Sequence, residues 1–180
     1  MTPASLIAYL KTGQLGPFGP LCPHQVVLAT LGSPPFWFGH GTFSYQRSDI
    51  WVYDSVQFNF DEHMRLEDTL VHFHSEFDGT VVTYSNWNGR YISLDDLSVE
   101  TICTPERFLS TMSANDIATS QQTSTGGQVL INTSAGVQAS FCPRAQSGAY
   151  NEDGTRIFTD GPYLYSITTI RGLSRKRRST

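Results

Sequence analysis

The fold is decided by the stretch IWVYDSVQFNF, residues 50–60. Its first four residues are aromatic or β-branched, a composition typical of strands, and residues 56–60 alternate apolar and polar side chains. Asp54 and Ser55 stand between the two runs and are common turn residues. Two strand-like runs joined by two turn residues predict a β-hairpin with one buried face. We expect Val56, Phe58 and Phe60 on that face.

The alternation continues beyond the hairpin. Residues 66–77 again alternate and place Val71 and Phe73 on the buried face, and residues 80–84 return as another strand after the turn pair Asp78-Gly79. Two helices are predicted before the hairpin. Residues 4–12 precede Gly13, and residues 23–31 begin at Pro23 as the first helical residue and end before Gly32.

The second half repeats this order. A helix capped by Thr104 precedes a polar strand from Ile117 and strands at 128–132, 137–141 and 163–170. VQASF, at 137–141, matches VQFNF, at 56–60. We therefore expect an α+β protein of two tandem helix-plus-antiparallel-sheet units, residues 1–92 and 93–172, that share one continuous or back-to-back β core. Residues 143–161 are predicted to form a long mobile loop, and residues 173–180 a basic disordered tail.

Charge is distributed unevenly along the 180 residues. Between residues 49 and 106 there are twelve acidic residues and two basic ones, whereas the tail holds the run Arg175-Lys176-Arg177-Arg178. Without that run the chain has 8 basic and 16 acidic residues. A protein whose main part carries this excess of acidic residues repels phosphate backbones and attracts cationic surfaces. We expect no nucleic-acid partner and favour a basic protein.

Cysteine usage and hydropathy suggest the compartment. Cys22, Cys103 and Cys142 are widely spaced and odd in number, as expected for reduced thiols. The N-terminal residues lack a basic region followed by a cleavage site, and no apolar run approaches the roughly 20 residues of a membrane span. We expect a cytoplasmic protein that does not enter a membrane.

A resemblance to known proteins rests on three features. They are LGP at residues 15–17 followed by PHQVVLATLGSP at 23–34, the aromatic strand at 50–53, and Phe60-Asp61 at a strand end. This pattern resembles the β-lactamase-inhibitor protein, itself a tandem repeat, and the outer-membrane-assembly lipoproteins, over residues 4–77 and more loosely over 104–170. Without a lipobox or paired cysteines, the chain is more similar to cytoplasmic relatives. Among these occur immunity proteins of bacterial toxin systems, including contact-dependent growth inhibition.

One cluster could support chemistry. His72, His74 and Glu76 alternate along one predicted strand, and Glu76 or His63 could act as the third ligand of a metal held by the two imidazoles. An outward polar strand face explains the same pattern. Phosphate-binding glycine loops, HExxH, GxSxG and paired-carboxylate motifs are absent from the sequence. We expect no enzyme and no cofactor, with a metal-dependent enzyme as the alternative.

The favoured hypothesis is an immunity protein that neutralises a cognate basic toxin domain, such as a nuclease, by occluding its active surface. A non-inhibitory adaptor module is a further alternative. Charges steer association and aromatic side chains anchor it, so the predicted partner-binding residues are acidic, imidazole or aromatic and fall between residues 54 and 96. They are Asp54, Asp61, Glu62, His72, His74, Glu76, Asp78, Trp87, Asp95 and Asp96.

Overall fold

The computed structural model describes residues 1–39, 44–73, 75–77, 82–84, 89–94, 96–150 and 156–169. For residues 75–77, 82–84, 144–150, 156–161 and 163 it describes the backbone without the side chains. The predicted basic tail, residues 173–180, lies outside these ranges.

Three α-helices form where the sequence predicts them: α1, Leu6–Thr12; α2, His24–Leu31; and α3, Pro105–Ala114. Ser5 caps α1 by accepting the Ala8 amide through its hydroxyl, and Gly13 ends it in the left-handed conformation, φ 75°. The Thr104 hydroxyl accepts the Arg107 amide at the start of α3. Pro23 was predicted to be the first residue of α2. It has extended backbone angles and is the N-cap instead, so the helix begins at His24.

The strands build one large sheet and two small ones. Their bounds are β1, Thr2–Pro3; β2, Phe36–Phe38; β3, Ile50–Tyr53; β4, Val56–Phe60; β5, Leu66–His72; β6, Ser75–Phe77; β7, Val82–Tyr84; β8, Ile92–Ser93; β9, Thr119–Thr123; β10, Val129–Thr133; β11, Val137–Tyr150; and β12, Arg156–Thr169. The large sheet is antiparallel with the order β2-β3-β4-β5-β12-β11-β10-β9. β1 pairs with β8 in parallel, and β6 pairs with β7. The α+β class is confirmed.

The large sheet joins the two halves of the chain edge to edge. Strands β2 to β5 follow α2 and form a meander, and strands β9 to β12 follow α3 and form a second one. The meanders meet where β5 pairs with β12, so the two matching hairpins, β3-β4 and β10-β11, lie at corresponding positions on either side. The shared β core is confirmed and takes the continuous form, while the division into units at residue 92 stays a prediction.

The helices cover one face of the large sheet, here called the inner face. The Tyr9 hydroxyl of α1 donates to the Thr69 carbonyl of β5 at 2.6 Å. His24 of α2 packs edge-on against Trp51, and Phe108 of α3 packs edge-on against Phe141. The side chains expected to be buried are Val56, Phe58, Phe60, Val71 and Phe73, and all five are buried. Period-two alternation therefore identified the inner face correctly.

Two expectations about strands are wrong, and one strand of the large sheet was missed. The predicted loop at 143–161 is largely strand, since β11 continues to residue 150 and β12 starts at 156. Pairing between these two strands satisfies their backbone groups despite the Gly-, Asn- and Ser-rich composition. The predicted strand at 66–77 divides after residue 72, because β6 leaves the large sheet to pair with β7. Strand β2 was not predicted at all.

Candidate functional site

The face of the large sheet opposite the helices, here called the outer face, carries one continuous row of side chains. The row contains one residue from each of the eight strands, and each residue lies directly opposite the next across a strand pair. In the order of the sheet they are Phe36, Val52, Gln57, Leu70, Thr168, Gln138, Asn132 and Ser120. Each is partly or fully exposed, whereas their inner-face neighbours such as Trp51, Phe58 and Ala139 are fully buried. Neighbouring strands lie about 4.8 Å apart, so the seven intervals between eight strands make the row roughly 34 Å long. That length suits a macromolecular partner.

One end of the outer face is apolar. Phe36 and Phe38 of the edge strand β2 are 69% and 47% exposed, and their register places them beside Val52 and Ile50. Trp37 points to the inner side and packs edge-on against Tyr45. Exposed aromatic side chains at one sheet edge are typical of surfaces that a partner covers.

The middle of the outer face carries a chain of hydrogen-bonded side chains. His72 Nε2 lies 3.3 Å from Gln57 Oε1, and Gln57 Nε2 donates to Asn59 Oδ1 at 2.7 Å. Asn59 Nδ2 in turn donates to Asp68 Oδ1. Burial raises the pKa of the Asp68 carboxyl, and the hydrogen bond from Asn59 partly opposes that shift.

The second meander contributes an amide pair at the corresponding place. Gln138 Nε2 donates to Asn132 Oδ1 at 2.8 Å, and Gln138 lies in the same row as Gln57. Beyond this row, Ser140 and Ser166 are buried, and β6 lies against β11 and β12. The exposed part of the outer face is thus centred on the Gln57–Gln138 row.

Three of the predicted partner-binding carboxylates, those of Asp54, Asp61 and Asp96, accept hydrogen bonds from backbone amides within the protein. The first two lie in loops. Asp54, at φ 54°, accepts the Tyr91 amide at 2.7 Å and holds the segment that forms β8. Asp61 Oδ1 accepts the His63 and Arg65 amides at 2.9 and 2.8 Å. These carboxylates stabilise loops, and their part in partner binding stays a prediction.

Asp96 holds the start of α1 from 90 residues away in the sequence. Its Oδ1 accepts the Leu6 amide at 2.8 Å, and its Oδ2 accepts the Ile7 amide at 3.0 Å and the Ser5 hydroxyl. Three donors at one helix end are therefore satisfied by one side chain. The Asp96 carboxylate therefore caps the N-terminus of α1. This role could not be predicted from the position of Asp96 in the sequence.

The other predicted site residues divide into two groups. Glu62 is exposed, with its carboxylate 3.7 Å from His63 Nε2, and His72 lies on the outer face. His74, Asp78, Trp87 and Asp95 lie outside the described residues, and only the backbone of Glu76 is described. The metal-site hypothesis is therefore untested. Within the described part of the chain, no three His, Cys, Asp or Glu side chains form a metal-binding group.

Sequence reasoning did not single out Gln57, Asn59, Asp68, Gln138 or Phe36. The signal was present at the polar positions of the alternating stretches, which must face away from the buried side. Those positions were used only to identify the core. The apolar end was missed because three residues between prolines and a glycine are too short for a strand pattern.

Comparisons with known proteins found no match among family models, curated proteins or solved structures. The resemblance to immunity and inhibitor proteins therefore stands on the sequence motifs alone. Among the described residues, no helix has the length and apolar character needed to cross a membrane.

Proposed function

We propose that this chain is a cytoplasmic immunity protein whose outer face binds a basic toxin domain and covers its active surface. The observation that carries the proposal is the row across all eight strands, which mixes exposed apolar, amide and hydroxyl side chains. Such a mixture is typical of protein interfaces, which combine apolar anchors with hydrogen bonds. A standard interface buries about 800 Å² on each partner, and a row of this length can supply that area.

Charge supports a basic partner. The described side chains of the outer face include the Asp68 carboxylate and no lysine or arginine. The sequence from residue 49 to residue 106 adds a strongly acidic surrounding, with twelve acidic and two basic residues. An acidic body speeds encounter with a cationic domain and repels nucleic acid.

The proposal is tested by site-specific cross-linking followed by a growth assay. A photoreactive phenylalanine analogue replaces Gln57 or Gln138 on the outer face, and replaces the exposed Ser110 of α3 in the control. We expect a partner to be trapped from outer-face positions and not from Ser110. Expressed alone in a bacterial host, the trapped partner should stop growth, and co-expression of this chain should restore it.

Two results would contradict the proposal. Cross-links formed at Ser110 and not at Gln57 or Gln138 would move the binding surface to the helical layer. A trapped partner that leaves growth unaffected would replace inhibition with an adaptor role.

A further inference from the structure

One edge of the large sheet is an open and regular strand. Strand β9 ends the sheet order, and its residues pair in register with β10 without a bulge. Residues 120–123 are exposed on both faces of the sheet. Edge strands usually carry a lysine, a proline, a bulge or a covering segment that prevents pairing with another chain. With the sequence TSQQT, β9 has none of these protections.

The hydrogen-bond pattern fixes which backbone groups of β9 face the open edge. The Ser124 amide donates to the Gln128 carbonyl, and the Ala118 carbonyl accepts the Ser134 amide. Bonding alternates along an antiparallel strand, so even-numbered residues point their backbone groups toward β10 and odd-numbered residues point theirs outward. The odd-numbered residues of β9 are Thr119, Gln121 and Thr123. Within the described part of the chain, no backbone group bonds to these outward amides and carbonyls.

The outward groups are arranged so that two copies of β9 complement each other. They are symmetric about Gln121, so an antiparallel second copy places Gln121 opposite itself and Thr119 opposite Thr123. Each of these residue pairs then exchanges two hydrogen bonds, as in a regular antiparallel sheet. The side-chain amide of Gln121 both donates and accepts, so the two copies of it can also bond to each other.

Charge favours an identical chain as the partner at this edge. Residues 117–143, which include β9 and β10, contain no Asp, Glu, Lys, Arg or His. Two copies of an acidic chain repel each other where their charges meet, and the β9 edge joins them without opposing like charges. The nearest charged residue in the sequence, Asp116, precedes the strand, so its two copies lie at opposite ends of the pair. A basic partner has no carboxylate on β9 to bind.

We infer that two copies of this chain associate through their β9 strands, in an antiparallel register centred on Gln121, and join their eight-stranded sheets into one. Opposite residues of antiparallel strands point to the same face, so the two outer faces lie side by side. The dimer does not depend on the proposed function, because it uses a strand edge and leaves the outer face open. A single strand pair belongs to the small interfaces, below about 1,200 Å², that form transient complexes. We expect a Kd of about 100 µM.

Sedimentation equilibrium and backbone NMR measure this association directly. The weight-average mass should rise from near that of one chain at about 10 µM toward that of two chains at about 1 mM, as the expected Kd requires. Over the same concentrations, the amide signals of Thr119, Gln121 and Thr123 should shift. Those of Ser120 and Gln122 should shift less, because their amides already face β10.

Charge variants at the centre of the register test the geometry. Gln121→Lys and Gln121→Glu each place like charges opposite one another, so each should raise the Kd at least about ten-fold. An equimolar mixture of the two variants places opposite charges there and should restore association. Ser110→Lys, on the exposed side of α3, is the control and should associate like the native chain. Since Gln121 and Ser110 are both exposed, thermal unfolding should be nearly unchanged and shows that lost association is not a lost fold.

Three outcomes would overturn the dimer. The first is a mass that stays at that of one chain up to about 1 mM. The second is association that persists unchanged in Gln121→Lys, which would place the contact elsewhere. The third is a mixture that associates no better than either variant alone. If the chain is monomeric and still traps a toxin from Gln57 or Gln138, the dimer fails and the proposed function stands.

Discussion

Replacement of Phe58 by alanine, compared with replacement of its neighbour Gln57, tests the assignment of the two sheet faces. Phe58 is fully buried on the inner face, with its ring 5.1 Å from that of Phe18 and 5.9 Å from that of Tyr53. Truncating a buried phenylalanine costs about 3–5 kcal/mol of unfolding free energy. For a chain of this length, each kcal/mol lowers Tm by about 2–4 °C. Phe58→Ala should therefore lower Tm by about 6–20 °C.

Gln57→Ala removes a partly exposed side chain with hydrogen bonds to Asn59 and His72. Water replaces such partners, so the loss should be about 1 kcal/mol and the fall in Tm about 2–4 °C. Thermal unfolding followed by circular dichroism, with urea unfolding for the free energy, measures both variants. If Gln57→Ala were as damaging as Phe58→Ala, the outer face would be packed against another part of the protein, and the candidate site would be lost.

Three further predictions concern the caps and the thiols. Asp96→Ala leaves the Leu6 and Ile7 amides without their acceptor. It should lower the free energy of unfolding by about 1–2 kcal/mol and speed hydrogen exchange at these two amides. Unchanged exchange would contradict the role of Asp96 as a helix cap. Hydrogen bonds, first the one from the Arg65 amide, lower the pKa of the Asp61 carboxyl. The contribution of Asp61 to the free energy of unfolding is therefore present above the ordinary aspartate pKa of about 3.9 and is lost as pH falls through the lower pKa of the folded state. An NMR titration that gave Asp61 a pKa at or above the ordinary value would refute this prediction. No disulfide joins any two of Cys22, Cys103 and Cys142, so a thiol reagent should count three thiols in the denatured, unreduced protein. A count of one would reveal a disulfide.

The inner face could be predicted from sequence because burial leaves a local pattern. Alternation at residues 56–60 identified strand β4 and its buried side chains, and the hydroxyl of Thr104 with Pro105 marked the start of α3. Each signal lies within a few residues of the element that it specifies. The matching hairpins, one in each half, predicted a shared β core, and the pairing of β5 with β12 makes that core one continuous sheet.

The long strands β11 and β12 could not be predicted from composition. Residues 143–161 are rich in residues that disfavour strands, and the register between β11 and β12 shifts at three places. Strand formation there depends on pairing with a distant segment, which a local pattern does not contain. Such shifts are also typical of bulges, which interrupt alternation.

The candidate site escaped sequence reasoning for a related reason. Carboxylates at turns were expected to reach a partner, yet Asp54 and Asp96 accept amides 37 and about 90 residues away in the chain. Conversely, Asp68 lies in the middle of strand β5, and its hydrogen bond from Asn59 forms only because β4 pairs with that strand. The function of a charged side chain here depends on contacts between strands.

The central claim is that the outer face is the binding surface, and the affinity for the trapped partner tests it most directly. Isothermal titration compares the native chain with the double variant Gln57→Arg/Gln138→Arg and with Ser110→Arg/Ser113→Arg, which adds the same charge to the exposed side of α3. Central interface positions are worth about 2 kcal/mol or more, so the outer-face variant should raise Kd at least about 30-fold, and the α3 variant should leave it nearly unchanged. An unchanged Kd for the outer-face variant, together with weaker binding by the α3 variant, would contradict the claim.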